Sequence, residues 1–284
     1  MILENQPSVV STRRRAWALY DSSERIPMVH GQELLLRKDC SYSETLFCFR
    51  RTHLIELAAL SRFELDARGS EPVVCFDVGA NIGYVSAYLA QRSDVAKVFS
   101  LEPDPKSFAV LERNSEYYSK IVPLEKGAGS SPDAVQSFWL GASNSAHNMS
   151  TAAGQDKPHP GDAIDSLLDS PIEVQFTSID AVSTDSNVGL IKIDVQGGEP
   201  SVLRGAWLTI ERNLPLLWIE FTPEEVDLPR QELIDEVARV ANNLDYRIYT
   251  ADRFGFLQEL TLGALQSFVG DVFLSPGWLP HRDK

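Results

Sequence analysis

The stretch Phe76-Asp77-Val78-Gly79-Ala80-Asn81-Ile82-Gly83 decides the fold. It closes a short, unbroken apolar run that begins at Val73, the pattern of a strand covered on both faces. A helical pattern follows from Gly83 to about Gln91, so the glycines sit where a strand turns into a helix. In open α/β sheets, ligands bind beyond the carboxyl ends of strands at such turns. Gly79 permits a tight turn and close approach of a ligand to the backbone. The free N–H groups at the start of the helix favour a carboxylate or phosphate. The spacing is G-x-x-x-G, not the G-x-G-x-x-G of dinucleotide sites, and no Walker A lysine motif is present. Asp77 puts an anion where a pyrophosphate would have to lie and suits a ligand that carries an ammonium group.

Working outward, strands and helices alternate, as in a mostly parallel sheet with helices on both faces. Seven strands are predicted: Val73 to Val78, Val98 to Leu101, Val122 to Leu124, Gly189 to Asp194, Leu216 to Phe221, Tyr246 to Thr250 and Asp271 to Leu274. Helices are predicted over Asp104 to Tyr117, Pro200 to Arg212 and Pro229 to Leu244. Ala134 to Leu140 and Val174 to Ile179 are also strand-like, and the polar segment between them, 141–171, reads as a long loop, either functional or without fixed structure. The first 70 residues form a separate helical extension. It has a short strand at Glu33 to Leu36 and a helical pattern from Ser43, a plausible N-cap, to about Leu65.

Composition narrows the function. The 26 Lys and Arg stand against 40 Asp and Glu, a net charge of −14, which opposes a nucleic-acid surface or docking on anionic lipid. Three cysteines without C-x-x-C spacing suggest neither a disulfide framework nor a zinc site. No apolar stretch approaches the ~18 residues of a membrane span. The apolar run after Arg13-Arg14-Arg15 is too short for a signal peptide. A soluble cytoplasmic protein is the expectation, its oligomeric state not readable.

Glu102, in Leu101-Glu102-Pro103, ends the second strand 19 residues after Gly83, near the ~20 expected of an acid that holds a ribose. A carboxylate there accepts both ribose hydroxyls and repels a 2′-phosphate. The ligand therefore looks like an unphosphorylated nucleoside with an amino-acid end, as in S-adenosylmethionine. A second cluster lies in Asp194-Val195-Gln196-Gly197-Gly198-Glu199-Pro200, with Glu220 at the end of the fifth strand. Asp194 and Glu199 are the candidate catalytic carboxylates, for general-base work or acceptor positioning. Glu199 alternatively serves a helix N-terminus, and Glu220 pairs with a basic side chain. Clustered carboxylates also suit magnesium, although no His/Cys ligand spacing accompanies them and no metal is expected. His147 sits in the long loop, and Tyr42 and Glu44 begin the N-terminal helix that would close over the ligand; His30 and His53 have no supporting context.

Asp77-Val78-Gly79-Ala80-Asn81-Ile82-Gly83, Leu101-Glu102-Pro103 and Asp194-Val195-Gln196-Gly197-Gly198-Glu199, with Thr177-Ser178-Ile179-Asp180 as a further strand, resemble the FkbM family of S-adenosylmethionine-dependent methyltransferases over about residues 72–222. Gln196 and Gly198 stand where the family often carries Glu and His. The resemblance implies a Rossmann-like class I methyltransferase fold in 71–284 and O-methylation of a hydroxyl on a sugar or natural product. It implies that Asp77, Gly79, Asn81 and Gly83 wrap the methionine part, Glu102 holds the ribose, and Gly127 and Ala128 line the adenine. Asp194 would lie near the sulfonium and the acceptor. Two other readings share the glycine turn: an NAD-dependent oxidoreductase, and a non-catalytic S-adenosylmethionine-binding module.

Overall fold

Eight strands form the main sheet of the computed structural model, which describes residues 7–65, 69, 71–141, 149–151, 168–184, 187–221 and 230–279. In chain order they are β1 (Val73–Val78), β2 (Val95–Leu101), β3 (Ile121–Leu124), β4 (Val188–Ile193), β5 (Leu216–Phe221), β6 (Tyr246–Ala251), β7 (Leu257–Leu260) and β8 (Gly270–Pro276). Their spatial order is β7-β6-β8-β5-β4-β1-β2-β3. The five strands from β5 to β3 pair in parallel; β8 joins β5 antiparallel, and β6 and β7 continue antiparallel. β1 lies between β2 and β4, so the chain winds outward in both directions from it. That reversal is the topological switch point where such sheets bind ligands.

Seven of these strands are the predicted ones, with bounds shifted by a few residues. The eighth, β7, was not expected, because Leu257-Gln258-Glu259-Leu260 is a polar edge strand with no apolar alternation. It forms a hairpin with β6.

Parallel strands must be covered on both faces. In β1, Cys75 packs into one buried apolar cluster and the next residue, Phe76, into the other. The first cluster includes Leu46, Phe47, Leu57 and Leu60 from the N-terminal helices Ser41–Phe49 and Leu54–Leu60, together with Tyr84, Trp218 and Phe273. The helical pattern expected from Ser43 to about Leu65 is therefore two helices. The chain bends between them, where Arg50 and His53 adopt positive φ (62° and 44°). Ser43 is not the N-cap; it lies inside the first helix, and its hydroxyl accepts the Arg37 N–H at 3.1 Å. A further helix, Pro7–Trp17, lies where mixed structure was expected.

The second cluster covers the opposite face with Val202 and Ile210 from the helices Glu199–Gly205 and Trp207–Asn213, and Val237 from Arg230–Leu244. One helix was expected over 200–212. It breaks at Ala206, and Asp180 caps the second piece by accepting the Thr209 N–H at 2.8 Å.

A second, four-stranded sheet joins Gly127–Ala128, Leu168–Thr177, Val135–Gly141 and Met149–Thr151. The segment 141–171, read as a long loop that is either functional or without fixed structure, contributes strands where it is described. The strand expected to reach Ile179 stops at Thr177, because the Ser178 hydroxyl accepts the Ala181 N–H at 3.2 Å and starts the helix Ile179–Val182. His147 lies outside the described residues.

Candidate active site

Parallel register brings the strand ends to one line. Val78 pairs with Ile193 on one side and Leu101 on the other. The next residues continue the pairing: the Asp194 N–H donates to Val78 O (3.0 Å), and the Gly79 and Ala80 N–H groups both donate to Leu101 O (3.0 Å). The turn after β1 is clamped between the ends of β2 and β4. Gly79 has φ 79°, and a Cβ there would stand 1.7 Å from the carbonyl oxygen of Asp194. Only glycine allows this contact.

A cavity of about 240 Å³ opens along these strand ends. Glu102 and Pro103 after β2, with Lys126, Gly127, Ala128 and Phe176, line one side. Gly79 and Asn81 lie in the middle; Lys192, Asp194, Gln196, Glu220, Tyr42, Thr52 and His53 line the other side. From β2 to β5 is three strand spacings, roughly 14 Å at ~4.8 Å per spacing. Tyr42 reaches the cavity as expected, whereas Glu44 does not line it.

Glu102 is 5% exposed, and its two carboxylate oxygens accept the backbone N–H groups of Asn81 (2.7 Å) and Asp104 (2.9 Å). Burial pushes its pKa up to about 7. Each oxygen keeps a lone pair for a further donor.

Asp77 faces the other way. It is fully buried and does not line the cavity. Its carboxylate accepts the Ser86 hydroxyl at 2.5 Å, and the Lys192 ammonium stands 3.3 Å from its other oxygen. The ammonium beside Asp77 in the structure is the protein's own Lys192. Gly83 does not line the cavity either; its φ of 89° turns the chain into the helix Tyr84–Ala90.

Lys192, whose side chain is 4% exposed, also donates to Gly79 O at 3.0 Å and pairs with Asp194 at 3.2 Å. Burial disfavours its charge, but Asp194 and Asp77 outweigh that and raise its pKa. Burial likewise works to raise the Asp194 pKa, and the Lys192 charge overcomes it, holding that carboxyl well below the usual range. Asp194 is therefore a permanent anion at neutral pH, a poor proton acceptor. The Gln196 amide bridges it to Glu220, at 3.1 and 2.8 Å. Burial and the Asp194 charge push Glu220 up, so it holds its proton. At these strand ends one ammonium, Lys192, is shared by Asp77 and Asp194, and Glu220 is protonated. This Lys was not singled out in the sequence, although a lysine in a strand covered on both faces must be paired.

Glu199 is 3% exposed, and its carboxylate accepts the N–H groups of Val195 (3.2 Å) and Gly197 (3.1 and 3.0 Å). It ties the turn that follows β4 and does not line the cavity. Among the described residues one group has metal-ligand character: His53, Glu56 and Asp271 place ligand atoms within 4.8 Å of one another. His53 had no context in the sequence; the fold supplies it by stacking its ring edge-on against Trp218, centroids 5.6 Å apart.

Among the described residues, no helix is long and apolar enough to cross a membrane. Residues 77–248 match the methyltransferase FkbM domain. The chain is 24% identical over 173 residues to the 2-O-methyltransferase NoeI of Sinorhizobium fredii, covering 58% of this chain and 70% of that protein. It is 30% identical over 139 residues to the hexuronic acid methyltransferase AglP of Haloferax volcanii, covering 48% and 50%. The methyltransferase FkbM from Methylobacillus flagellatus superposes with a TM-score of 0.44 and 17% identity, over 94% of this chain and 60% of that one. The chain thus spans about half to seven-tenths of the length of these proteins. With the family's domain matching well over half its length, this chain belongs to the methyltransferase FkbM domain family.

Proposed function

We propose that the chain is an S-adenosylmethionine-dependent methyltransferase that methylates a hydroxyl of a sugar. The observation that carries this is the cavity that runs from Glu102 across the Gly79 turn to Asp194. One end suits a ribose and the other an anion-stabilised reacting centre. Family membership and the printed activities of NoeI and AglP support transfer to a sugar hydroxyl. The acceptor is a small molecule, and the net charge of −14 disfavours nucleic acid. Three buried cysteines that form no disulfide fit a reducing, cytoplasmic setting.

S-adenosylmethionine brings a methyl group already activated on a sulfonium. The chain's part is therefore to bind, align and manage charge. Glu102 accepts the two ribose hydroxyls. Gly127 and Ala128 bound the adenine, with Phe176 beside them. Gly79 and Asn81 present backbone to the amino-acid end, while Asp77 acts one step back by fixing Lys192. With S-adenosylmethionine bound, Asp194 would hold its negative charge beside the sulfonium and orient the acceptor hydroxyl. Glu199 keeps the Val195–Gly197 turn, and hence Asp194, in place. Alignment at ~3–3.5 Å supplies several kcal/mol of the barrier reduction.

The test titrates the full chain with S-adenosylhomocysteine and with NAD, then supplies methyl-labelled S-adenosylmethionine and a pool of methyl glycosides of glucose, galactose, fucose and glucuronic acid. Binding of the first ligand only, with label on a glycoside, is expected. NAD binding in its place overturns the reading, and cofactor binding without transfer to any glycoside overturns the sugar acceptor. Asp194→Asn is expected to leave S-adenosylhomocysteine affinity within about threefold and to lower turnover by ~10²-fold, the scale of one preorganised charge at a reacting centre. Unchanged turnover removes Asp194 from the mechanism.

A further inference from the structure

We propose that His53 is the general base that takes the proton of the acceptor hydroxyl. This rests on the methyltransferase reading and deepens it by naming the residue that Asp194 and Glu199 leave unfilled.

Four observations converge on it. First, His53 lines the cavity at the end away from Glu102, on the same side as Asp194 and Glu220. An acceptor that approaches the reacting centre from the side opposite the nucleoside meets this ring. Second, the backbone holds His53 in the left-handed region, φ 44° and ψ 35°, as the residue before the helix Leu54–Leu60, with no side-chain cap to justify it. A non-glycine residue kept there at a cavity wall is the kind of local strain that function maintains. Third, the ring is fixed from behind. It stands edge-on to Trp218, interplanar angle 81°, and Trp218 donates its Nε1–H to Asp271 at 2.6 Å. Asp271 and Glu56 each place a carboxylate oxygen within 4.8 Å of one imidazole nitrogen and of each other. A carboxylate behind an imidazole favours the imidazolium that proton transfer creates.

Fourth, the other ionisable groups facing the ring cannot do this work. Asp194 is tied to Lys192 as a permanent anion, and Glu220 holds its own proton. Lys192 is a paired ammonium, Asp77 lies behind it, and burial keeps the Tyr42 hydroxyl protonated. Burial lowers the His53 pKa, with Asp194 pulling the other way.

In the step, the hydroxyl oxygen forms its bond to the methyl carbon as the carbon–sulfur bond breaks. The electron pair of that bond stays on sulfur, and the hydroxyl proton passes to an imidazole nitrogen of His53. The products are a methyl ether, the thioether and imidazolium, whose proton then leaves past Glu56 and Asp271.

The test compares the wild-type full chain with His53→Gln and His53→Asn in the labelled-methyl assay on the methyl glycoside pool, with S-adenosylhomocysteine affinity measured alongside. Loss of a positioned base costs typically 10²–10⁴-fold, so kcat at pH 7.5 is expected to fall by at least ~10²-fold in both variants. Affinity for S-adenosylhomocysteine should stay within about threefold. The wild-type kcat should rise with pH and level off below neutrality. The variants should lose that plateau, climb about tenfold per pH unit above pH 8, and regain rate on addition of imidazole. Variants within about fivefold of wild type at pH 7.5 overturn the proposal. So does wild-type activity that EDTA abolishes and added Mg²⁺ or Mn²⁺ restores, which assigns His53, Glu56 and Asp271 to a cation. If the wild-type chain binds S-adenosylhomocysteine but methylates no glycoside, or the variants fail to fold, His53 is judged by ¹⁵N titration of its imidazole in the wild-type S-adenosylhomocysteine complex. A ring neutral at pH 7 sustains the base; an imidazolium there overturns it.

Discussion

Lys192→Met should lower the stability of the chain by about 3–5 kcal/mol, the usual cost of removing one partner of a buried ion pair. The lysine is 3% exposed and pairs with two carboxylates, Asp77 at 3.3 Å and Asp194 at 3.2 Å. Methionine keeps the length and apolar stem of the side chain but leaves both acids without their cation. It also removes the donor to Gly79 O that ties β4 to the turn after β1. For a chain of this size the midpoint of thermal unfolding should drop by roughly 10 °C. The sign of the pH dependence follows from Asp194. Lys192 lowers its folded pKa in the wild type, so the stability from this pair is present above the ordinary carboxylate range and is lost as pH falls through the lowered folded value. The gap between wild type and variant should therefore be wide at pH 7 and narrower at pH 3, where the stranded Asp194 of the variant takes up a proton. Chemical denaturation at the two pH values measures it. A gap under 1 kcal/mol at pH 7 would show that the triad does not hold the strand ends together.

The second large effect is expected from Gly79→Ala. The added Cβ would sit 1.7 Å from Asp194 O, which is backbone and cannot rotate away. The position also needs φ 79°, a left-handed conformation that costs alanine roughly 1–2 kcal/mol. Relief requires the ends of β1 and β4 to move apart, and overpacking of this kind adds about 1–3 kcal/mol. The cavity is built on that junction, so the affinity for S-adenosylhomocysteine should fall by about 10–100-fold, at 1.4 kcal/mol per tenfold. Gly83→Ala gives the contrast. It carries the same left-handed cost (φ 89°), but its Cβ meets no backbone: the tip of Leu111 at 2.8 Å can shift, Ser86 Cβ at 3.9 Å is an ordinary contact, and Gly83 does not line the cavity. Calorimetric titration of both variants should show the larger loss in Gly79→Ala; equal losses would place the effect in general destabilisation.

The glycine turn and its acid were legible because their chemistry is local. A doubly covered strand, a residue with φ that only glycine takes readily, and a carboxylate one strand further on all leave marks within 30 residues of sequence. Parallel register then forces Gly79, Glu102 and Asp194 to one edge, so their meeting followed from strand order alone. Side-chain direction did not. Asp77 and Glu199 sit at the right strand ends, yet Asp77 turns to Lys192 and Glu199 to the backbone N–H groups of its own turn. The second reading of Glu199, as a residue serving the start of a helix, came nearer to what it does. Lys192 was legible in principle, since a cation in an otherwise apolar strand demands partners. His53 was not. Its neighbours Trp218 and Asp271 lie more than 160 residues away in β5 and β8, and only the fold brings them to its ring. The hairpin strand β7 stayed hidden because an edge strand with a polar face carries no period.

The role of Glu102 is the point on which the binding site turns. Its pKa of about 7 comes from burial, and two ribose hydroxyls can both donate only to its ionised form. Below pH 7 the carboxyl must lose a proton before the ligand can bind. Calorimetric titration of S-adenosylhomocysteine into the wild-type chain and Glu102→Gln, at pH 5.5 to 8.5, tests this directly. The wild-type affinity should rise about fivefold from pH 6 to pH 7 and about twofold more to pH 8, then level off, as linkage to one proton requires, while Glu102→Gln should bind more weakly with no such rise. A wild-type affinity that is flat across the range and unchanged in Glu102→Gln would contradict it.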